Sequence, residues 1–436
     1  MEEKTTGMGR ESNVSRRFFM GAVALAGAVW ASCRSPVRGE KIQPGPETAP
    51  DGPLLKAGLV GCGGRGTGAS LNFLESAPHV QIAALADVFQ DRLDRCRQKL
   101  GEKAGVKVPD DRCFVGFDAF QKLIDSGVDI VLLATPPHFR PQHFSAAVEA
   151  RKHVFMEKPL AVDPPGVRSI LQTAQKADAF NLRIATGTQF RHQKSFIETY
   201  NRIQDGAIGD IVAARCYSLR GQLWYKTPRE DWSEMEAMIR DWVNWQWLSG
   251  DHIVEQHIHG LDVIQWFTGS RPEKAIASGG RMRRVTGDQY DFFNVDFELQ
   301  SGIHVHSMCR QIDGCTNNIS RWVVGTRGFT NCRDTLYAPD GTVKWKYESE
   351  EDKSPYVQEH TDLVTAIRTD TPANEAARTA HSTLKAIMAR MSAYSGLEVT
   401  WDEAMQSELR LGPKEYAMGP VEIETQVPVP GSATKT

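Results

Sequence analysis

The chain has 436 residues, a formal net charge of −3 and 41% hydrophobic residues, which suffices for two ordinary domains with substantial cores. Because acidic and basic residues nearly balance and no block of lysine and arginine follows the N-terminal segment, the composition argues against a nucleic-acid partner. Eight cysteines are scattered without a C-x-x-C pair, so we expect them to pack as small apolar side chains, with an oxidised pair as the alternative.

The N-terminal segment has the pattern of an export signal. Two consecutive arginines at 16–17 precede an apolar stretch at 18–31 that is 14 residues long, shorter than the roughly 20 residues of a membrane-spanning helix. This pattern predicts a twin-arginine signal peptide and therefore a periplasmic or otherwise exported protein. Cleavage after Ala31, lipidation of Cys33 and an N-terminal core helix are the alternatives for this segment.

A glycine cluster follows, between an apolar run and the start of a helix. Residues 55–60 predict a strand, 69–75 the beginning of a helix, and 80–85 a second strand that ends at Asp87. A strand, a glycine-rich turn and a helix are the setting of a dinucleotide-binding motif, in which the helix N-terminus faces the phosphates. A glycine-rich turn beside a solvated aspartate is the alternative.

Each glycine of the cluster has a role in binding a dinucleotide. Gly61 permits the tight turn, Gly63 lets the backbone approach a pyrophosphate, and Gly66 lets the helix pack close to the strand. The turn residues assigned to the cofactor are Gly61, Gly63, Gly64, Arg65 and Gly66.

The residue at the end of the second strand predicts which dinucleotide binds. Asp87 follows Gly66 by 21 residues, and a carboxylate there accepts hydrogen bonds from the adenosine ribose and repels a 2′-phosphate. NAD is therefore favoured, while Arg65 and Arg92 keep NADP as the alternative.

A third buried strand and the segment after it complete the predicted cofactor site. Residues 128–134 predict a strand that ends at Thr135 and Pro136, and a helix at 143–150 leads to Glu157-Lys158-Pro159. Thr135, Pro136, Glu157 and Lys158 are assigned to the cofactor. Taken alone, Glu157 and Lys158 are equally typical of a solvated charge pair at a strand end.

Three motifs in order carry a resemblance to a known family. They are Gly61 to Gly66, Glu157-Lys158-Pro159, and Glu255-x-x-x-His259-x-x-Asp262. Over about residues 54–400 the sequence resembles the glucose-fructose oxidoreductase / inositol dehydrogenase / MocA (Gfo/Idh/MocA) family. The resemblance implies that Lys158 reaches between nicotinamide and substrate and polarises the reacting oxygen.

The resemblance also implies the fold. We expect an α/β N-terminal Rossmann domain followed by an α+β C-terminal domain with an open, mainly antiparallel sheet. The predicted segments are a signal at 1–33, a Pro-rich linker at 34–53, the NAD(P)-binding domain at 54–180, the substrate-binding domain at 181–420 and a loose tail at 421–436.

The third motif predicts a proton relay. Apolar recurrence over 255–266 predicts one helix, on which Glu255 and His259 lie one turn apart. A carboxylate beside an imidazole raises its basicity, so His259 could take a hydroxyl proton as hydride leaves the carbon. The family usually has Asp at the position of Glu255 and Gly at that of His257. A divalent metal site and surface histidines are the alternatives, and we assign no metal.

Substrate contacts are assigned to Arg191, His257 and Asp262. Residues 184–191 predict a strand that leads to Arg191, where relatives place side chains that face the substrate. An aromatic-rich segment at 224–247 is expected to lie partly in the core and partly in a cleft that stacks on carbohydrate rings.

Export constrains the reaction, because no soluble nicotinamide pool recycles the cofactor outside the cytoplasm. We expect an NAD(P)-dependent oxidoreductase that acts on a hydroxyl or carbonyl of a sugar, polyol or glycoside with tightly held cofactor. The alternatives are redox-neutral glycoside cleavage through transient oxidation by bound NAD, and a non-catalytic carbohydrate-binding protein. We expect a carbohydrate as the small-molecule partner, a homo-oligomer, and membrane contact only through the signal or a lipid anchor.

Overall fold

A computed structural model describes residues 39–349 and 352–432. The predicted signal peptide, its cleavage point and Cys33 lie outside the described residues. Within the described ranges, no helix has both the length and the apolar character that a membrane span requires.

The N-terminal domain is a parallel sheet of six strands with helices on both faces. The strands lie in the order β3-β2-β1-β4-β5-β6, the doubly wound order of a Rossmann fold. The strands are β1 (Leu55–Val60), β2 (Val80–Asp87), β3 (Cys113–Val115), β4 (Ile130–Leu133), β5 (His153–Met156) and β6 (Ile184–Thr186). The helices are α1 (Gly64–Ser76), α2 (Gln90–Ala104), α3 (Ala119–Asp125), α4 (Arg140–Glu149) and α5 (Pro164–Ala179), with 3₁₀ turns at Asp110–Arg112 and Pro137–Phe139.

The C-terminal domain is an open sheet of nine strands in the order β14-β13-β12-β11-β7-β10-β9-β8-β15. All neighbours are antiparallel except β7 and β10, which confirms the expected mainly antiparallel sheet. The strands are β7 (Ile211–Arg220), β8 (Pro272–Gly280), β9 (Phe292–Leu299), β10 (His304–Gln311), β11 (Asn318–Gly325), β12 (Gly328–Thr330), β13 (Thr335–Tyr337), β14 (Val343–Lys346) and β15 (Val399–Thr400). The helices are α6 (Lys194–Gln204), α7 (Glu234–Arg240), α8 (Gln246–Ser249), α9 (His252–Glu255), α10 (Ile258–Thr268), α11 (Pro355–Arg368), α12 (Ala376–Ser395) and α13 (Trp401–Gln406), with 3₁₀ turns at Gln189–His192 and Trp242–Asn244.

One face of the second sheet packs against helices and the other is open. Along β9, Phe293, Val295 and Phe297 are buried at every second position, which is the period of a strand with one covered face. They share a core cluster with apolar residues of α10 and α12. The covered face therefore supports the helices that carry the third motif.

The two domains are tied together by a helix late in the chain. Helix α11 packs on α1, and its Leu363 and Val364 join Phe73 in the core cluster of the parallel sheet. The N-terminal domain thus contains a helix that the sequence supplies almost 300 residues after the glycine cluster.

Three segments differ from the sequence-based expectation. The strand predicted at 184–191 ends at Thr186, because its partner β5 ends at Met156 and leaves nothing to pair with. The described part of the predicted linker is docked, with Ile42 N donating to Asn201 Oδ1 at 2.9 Å. The predicted tail is also held, since the Tyr290 hydroxyl donates to the Pro428 carbonyl at 2.8 Å.

Candidate active site

The glycine-rich turn lies between the carboxyl end of β1 and the start of α1. Gly61 has a φ of +99°, and a Cβ there would come within 2.7 Å of the Ala134 carbonyl carbon. A Cβ on Gly66 would overlap the Gly61 carbonyl oxygen, whereas no heavy atom would lie within 4 Å of a Cβ on Gly64. The turn is therefore closed towards the sheet and open towards the cleft, as close approach of a pyrophosphate requires.

A cavity of about 930 Å³ extends from this turn, which is ample for a dinucleotide. Its lining includes every predicted turn residue together with Asp87, Thr135 and Pro136. The structure therefore brings these predicted cofactor residues together at one edge of the parallel sheet, at the switch point between β1 and β4.

Asp87 is held by the backbone at the end of β2. Its Oδ2 accepts from Cys62 N at 2.7 Å and its Oδ1 from Phe89 N at 2.9 Å. Burial raises the pKa of Asp87, while the two backbone hydrogen bonds and the charge of Arg92 act in the opposite direction. The carboxylate is thus fixed in the cleft, where the sequence predicted ribose recognition.

The Arg65 side chain is held by carboxylates of the protein. Its Nε donates to Glu157 Oε1 and its Nη2 to Glu359 Oε1 at 3.1 Å, and its guanidinium lies 4.9 Å from the Tyr356 ring centroid. Burial, and then the nearby Glu157 carboxylate, raise the pKa of the fully buried Glu359 well above its usual value. Arg65 and Glu157, both predicted to contact the cofactor, therefore form one charge network that joins the glycine turn to the second motif.

Lys158 forms a buried ion pair. Its Nζ donates to the Glu255 carbonyl at 2.5 Å and to Glu255 Oε1 at 3.0 Å, and the two side chains are 11% and 8% exposed. The Lys158–Pro159 peptide is cis. Lys158 follows β5 by two residues, so it lies at the same edge of the sheet as the dinucleotide cleft.

The predicted relay between Glu255 and His259 is wrong. The expected single helix is broken, because α9 ends at Glu255 and α10 begins at Ile258. Of the two residues between them, Gln256 and His257, the second is anchored to Ser307 of β10. The Glu255 carboxylate consequently pairs with Lys158 instead of the imidazole.

His259 lies beside Lys158 instead. Both side chains line a narrow crevice with Thr188, Phe190, Ile258 and Asp262, which leaves no space for a water molecule. Burial lowers the pKa of His259 well below its ordinary value, and the positive charge of Lys158 lowers it further. Among the described residues His259 has no hydrogen-bond partner, so a neutral imidazole is available to accept a proton.

Of the three predicted substrate contacts, Arg191 and Asp262 pair with each other, whereas His257 is buried against the sheet. Arg191 and Asp262 form a two-pronged ion pair with both N–O distances at 2.9 Å, and the Ser382 hydroxyl donates to Asp262 Oδ1 at 2.8 Å. His257 is 1% exposed, and its Nε2 lies 2.7 Å from Ser307 Oγ. The predicted contact of His257 with substrate is therefore not supported, since the imidazole is used to fix the helix on the sheet.

The aromatic segment that the sequence predicted to lie partly in a carbohydrate-stacking cleft lines the dinucleotide cavity instead. Segment 224–242, of the C-terminal domain, lines the dinucleotide cavity with Trp224, Trp232 and Trp242, so these indoles lie away from Lys158 and His259. Within the described ranges no group of three or more His, Cys, Asp or Glu side chains is placed to hold a metal ion. All seven described cysteines are free, and five of them are buried.

Comparison with known proteins agrees with this architecture. Residues 55–183 match the model described as "Oxidoreductase family, NAD-binding Rossmann fold", and residues 196–330 match the GFO/IDH/MocA C-terminal domain. The myo-inositol 2-dehydrogenase of Thermotoga maritima is 26% identical over 225 residues, which is 52% of this chain and 58% of that protein. A 2,7-anhydro-N-acetylneuraminate hydratase of Escherichia coli is 26% identical over 183 residues, 40% of this chain and 44% of that protein.

Solved structures share the fold. The scyllo-inositol dehydrogenase of Lactobacillus casei with bound NAD(H) and scyllo-inositol has a TM-score of 0.60 at 21% identity, covering 80% of this chain and 99% of that chain. The match to the curated Thermotoga relative spans 58% of that protein's length. The two family models follow one another and together cover more than half of the sequence. The chain therefore belongs to the GFO/IDH/MocA family of oxidoreductases, and its N-terminal domain is an NAD-binding Rossmann domain.

Proposed function

We propose that the protein is an NAD-dependent oxidoreductase that acts on a CH–OH group of a sugar, polyol or glycoside. The observation that carries the proposal is that Lys158 and His259 line the same narrow crevice, with Lys158 at the edge of the parallel sheet that bears the dinucleotide cleft. Bound NAD supplies the hydride acceptor. The Lys158 ammonium holds the substrate oxygen, and the neutral His259 imidazole takes the proton of the hydroxyl group.

A tightly held cofactor is supported by the way the cleft is lined. Segment 224–242 of the C-terminal domain contributes to the same cavity as the glycine turn. Arg240 fastens this segment, because its Nη2 donates to Asp91 Oδ1 at 2.9 Å and its guanidinium lies 4.0 Å from the Phe89 ring centroid. A dinucleotide covered by both domains must wait for this contact to open, which slows its release.

The proposal includes export and a homo-oligomer. The twin-arginine pattern at 16–17 supports export of the folded protein with its cofactor, and Val212, Ile276 and Ile319 leave apolar side chains exposed on the second sheet, which supports self-association. Redox-neutral glycoside cleavage is the second candidate. It is supported by the likeness to a hydratase, since the same lysine and histidine can serve a transient oxidation.

The experiment is a substrate panel on purified protein, read by nicotinamide absorbance. We expect copurified NAD and turnover of polyols or sugars, which Lys158→Ala and His259→Ala each lower at least about a hundredfold without loss of bound NAD. The exposed Lys107 provides a matched control, and Lys107→Ala is expected to keep full activity.

Two outcomes would contradict the proposal. Release of an aglycone from aryl glycosides without net NADH would favour the second candidate. Full activity of the Lys158→Ala variant would refute the assignment of the reacting site.

A further inference from the structure

Two partly buried arginines near the proposed reacting site lack a carboxylate partner. The Arg321 guanidinium forms no hydrogen bond or ion pair with a described residue, and its Nε is buried. It lies 4.5 Å from the ring centroid of Phe190. Arg220 has one long contact, from Nη1 to Gln256 Oε1 at 3.5 Å, and its Nε is also buried without a partner. Buried cations normally have an anionic partner. Neither arginine has one among the described residues, so each lacks a counterion.

The strand register places both arginines on the covered face of the sheet. Arg321 of β11 lies opposite Cys216 of β7, and Arg220 follows Cys216 by four residues, so its side chain leaves the same face. That face meets the helices, because Cys216 Sγ lies 3.6 Å from His257 Nε2. Both arginines therefore lie beneath the junction of α9 and α10.

Phe190 connects Arg321 to the reacting site. The Arg321 guanidinium lies over the Phe190 ring. The same ring contacts the His259 ring edge-on, with centroids 5.8 Å apart. Phe190 also lines the narrow crevice of Lys158 and His259. One aromatic ring therefore separates the Arg321 guanidinium from the His259 imidazole, and, in addition to burial, the positive charges of Arg321 and Arg220 both lower the pKa of that imidazole.

The carboxylates near the reacting site already form ion pairs with other cations. Glu255 pairs with Lys158 and Asp262 with Arg191, which leaves the charges of Arg220 and Arg321 uncompensated. The fully buried Lys385 Nζ adds a further cation without a hydrogen-bond partner among the described residues.

We infer that the substrate is an anionic carbohydrate, whose carboxylate or phosphate group binds Arg321 and Arg220 while its reacting hydroxyl lies between Lys158 and His259. The inference rests on the proposed function, since that function supplies the carbohydrate and the reacting pair. A guanidinium suits either anion, because its planar N–H groups form paired charge-assisted hydrogen bonds with both.

The test compares sugars that differ only in charge. Calorimetric titration of the NAD-loaded full chain uses D-glucose, D-glucuronate and D-glucose 6-phosphate, and the corresponding galactose series. We expect at least one acid or phosphate to bind at least about tenfold more tightly than its neutral sugar, with the advantage shrinking as salt is added. Preference for acid or for phosphate distinguishes the two anions. Equal binding within every series would overturn the inference.

Variants assign the effect to the arginine. Arg321→Met is expected to remove the preference for the anion and leave binding of the neutral sugar unchanged, and Arg321→Lys to restore part of it. The matched control is Arg215→Met, since the exposed Arg215 lies opposite Trp322, on the other face of the same strand pair. A preference that survives Arg321→Met in folded protein would also overturn the inference.

The results distinguish failure of the anion site from failure of the proposed oxidoreductase function. Turnover of neutral polyols by the NAD-loaded protein, with no preference for anions, would leave the oxidoreductase proposal intact and remove only the anion site. Binding of anionic sugars without any turnover would have the opposite meaning, because the anion site would stand and the oxidoreductase proposal would fail.

Discussion

The buried pair of Lys158 and Glu255 offers a quantitative test of how the reacting site is held. Replacing Lys158 by Met leaves the Glu255 carboxylate with Gln256 as its remaining side-chain partner. Replacing Glu255 by Gln removes the negative charge and keeps the backbone carbonyl that accepts from Lys158 at 2.5 Å. The double variant removes both charges. These three proteins and the parent chain form a double-mutant cycle.

The expected magnitude follows from the geometry. Two unit charges 3.0 Å apart attract by about 5–6 kcal/mol at an effective dielectric constant of about 20. Desolvation of two side chains that are 11% and 8% exposed offsets part of this. We therefore expect a coupling free energy of unfolding of about 2–4 kcal/mol, with Lys158→Met the more destabilising single change.

The assay is urea unfolding followed by tryptophan fluorescence, with the NAD content matched among the four proteins. The control cycle uses Lys274 and Glu298, whose Nζ–Oε2 distance is 3.4 Å and whose side chains are 36% and 39% exposed. An exposed pair of this kind is expected to couple only weakly, because solvent screens its charges. A Lys158–Glu255 coupling no larger than the control would refute the view that the ion pair fixes the lysine.

Three further predictions follow from the cofactor cleft and the charge networks. Gly66→Ala forces a Cβ against the Gly61 carbonyl, so we expect NAD affinity by calorimetry to fall at least about tenfold, with Gly101→Ala on α2 unchanged. Asp87→Ala is expected to reduce the preference for NAD over NADP in titrations with both dinucleotides; an unchanged ratio would place ribose recognition elsewhere. Although burial opposes its charge, Glu375 and Asp362 raise the pKa of His192 to about 10. The resulting stabilisation is fully present below about pH 6.5 and is lost as the pH rises through 10, so His192→Gln should flatten the unfolding free energy over that window; the same slope in both proteins would contradict this.

The dinucleotide cleft was predictable because its determinants are local. Gly61, Gly66 and Asp87 lie within one βαβ unit, and each has a backbone or charge requirement that few other residues satisfy. The parallel order of the first sheet follows from the same alternation of strands and helices. Lys158 was identified through the resemblance, and its place at the edge of the sheet follows from the end of β5.

The rest of the site depends on contacts between distant parts of the chain. Glu359 reaches Arg65 across 294 residues of sequence, and Arg321 comes near His259 through the pairing of β7 with β11. The helical recurrence of apolar residues predicted one continuous helix at 255–266, and these apolar residues are buried in the structure. The helix is interrupted at Gln256 and His257, and the His257 side chain contacts Ser307 of a strand 50 residues later in the sequence, a contact that no local pattern records.

Helix α11 has a consequence for the order in which the protein folds. Its Leu363 and Val364 complete the core under α1, and Glu375, just beyond it, accepts from Thr186 N at 2.8 Å at the last strand of the same sheet. During synthesis these contacts of the nucleotide-binding half therefore form only after about residue 375 has left the ribosome. Cofactor loading is thereby coupled to completion of nearly the whole chain.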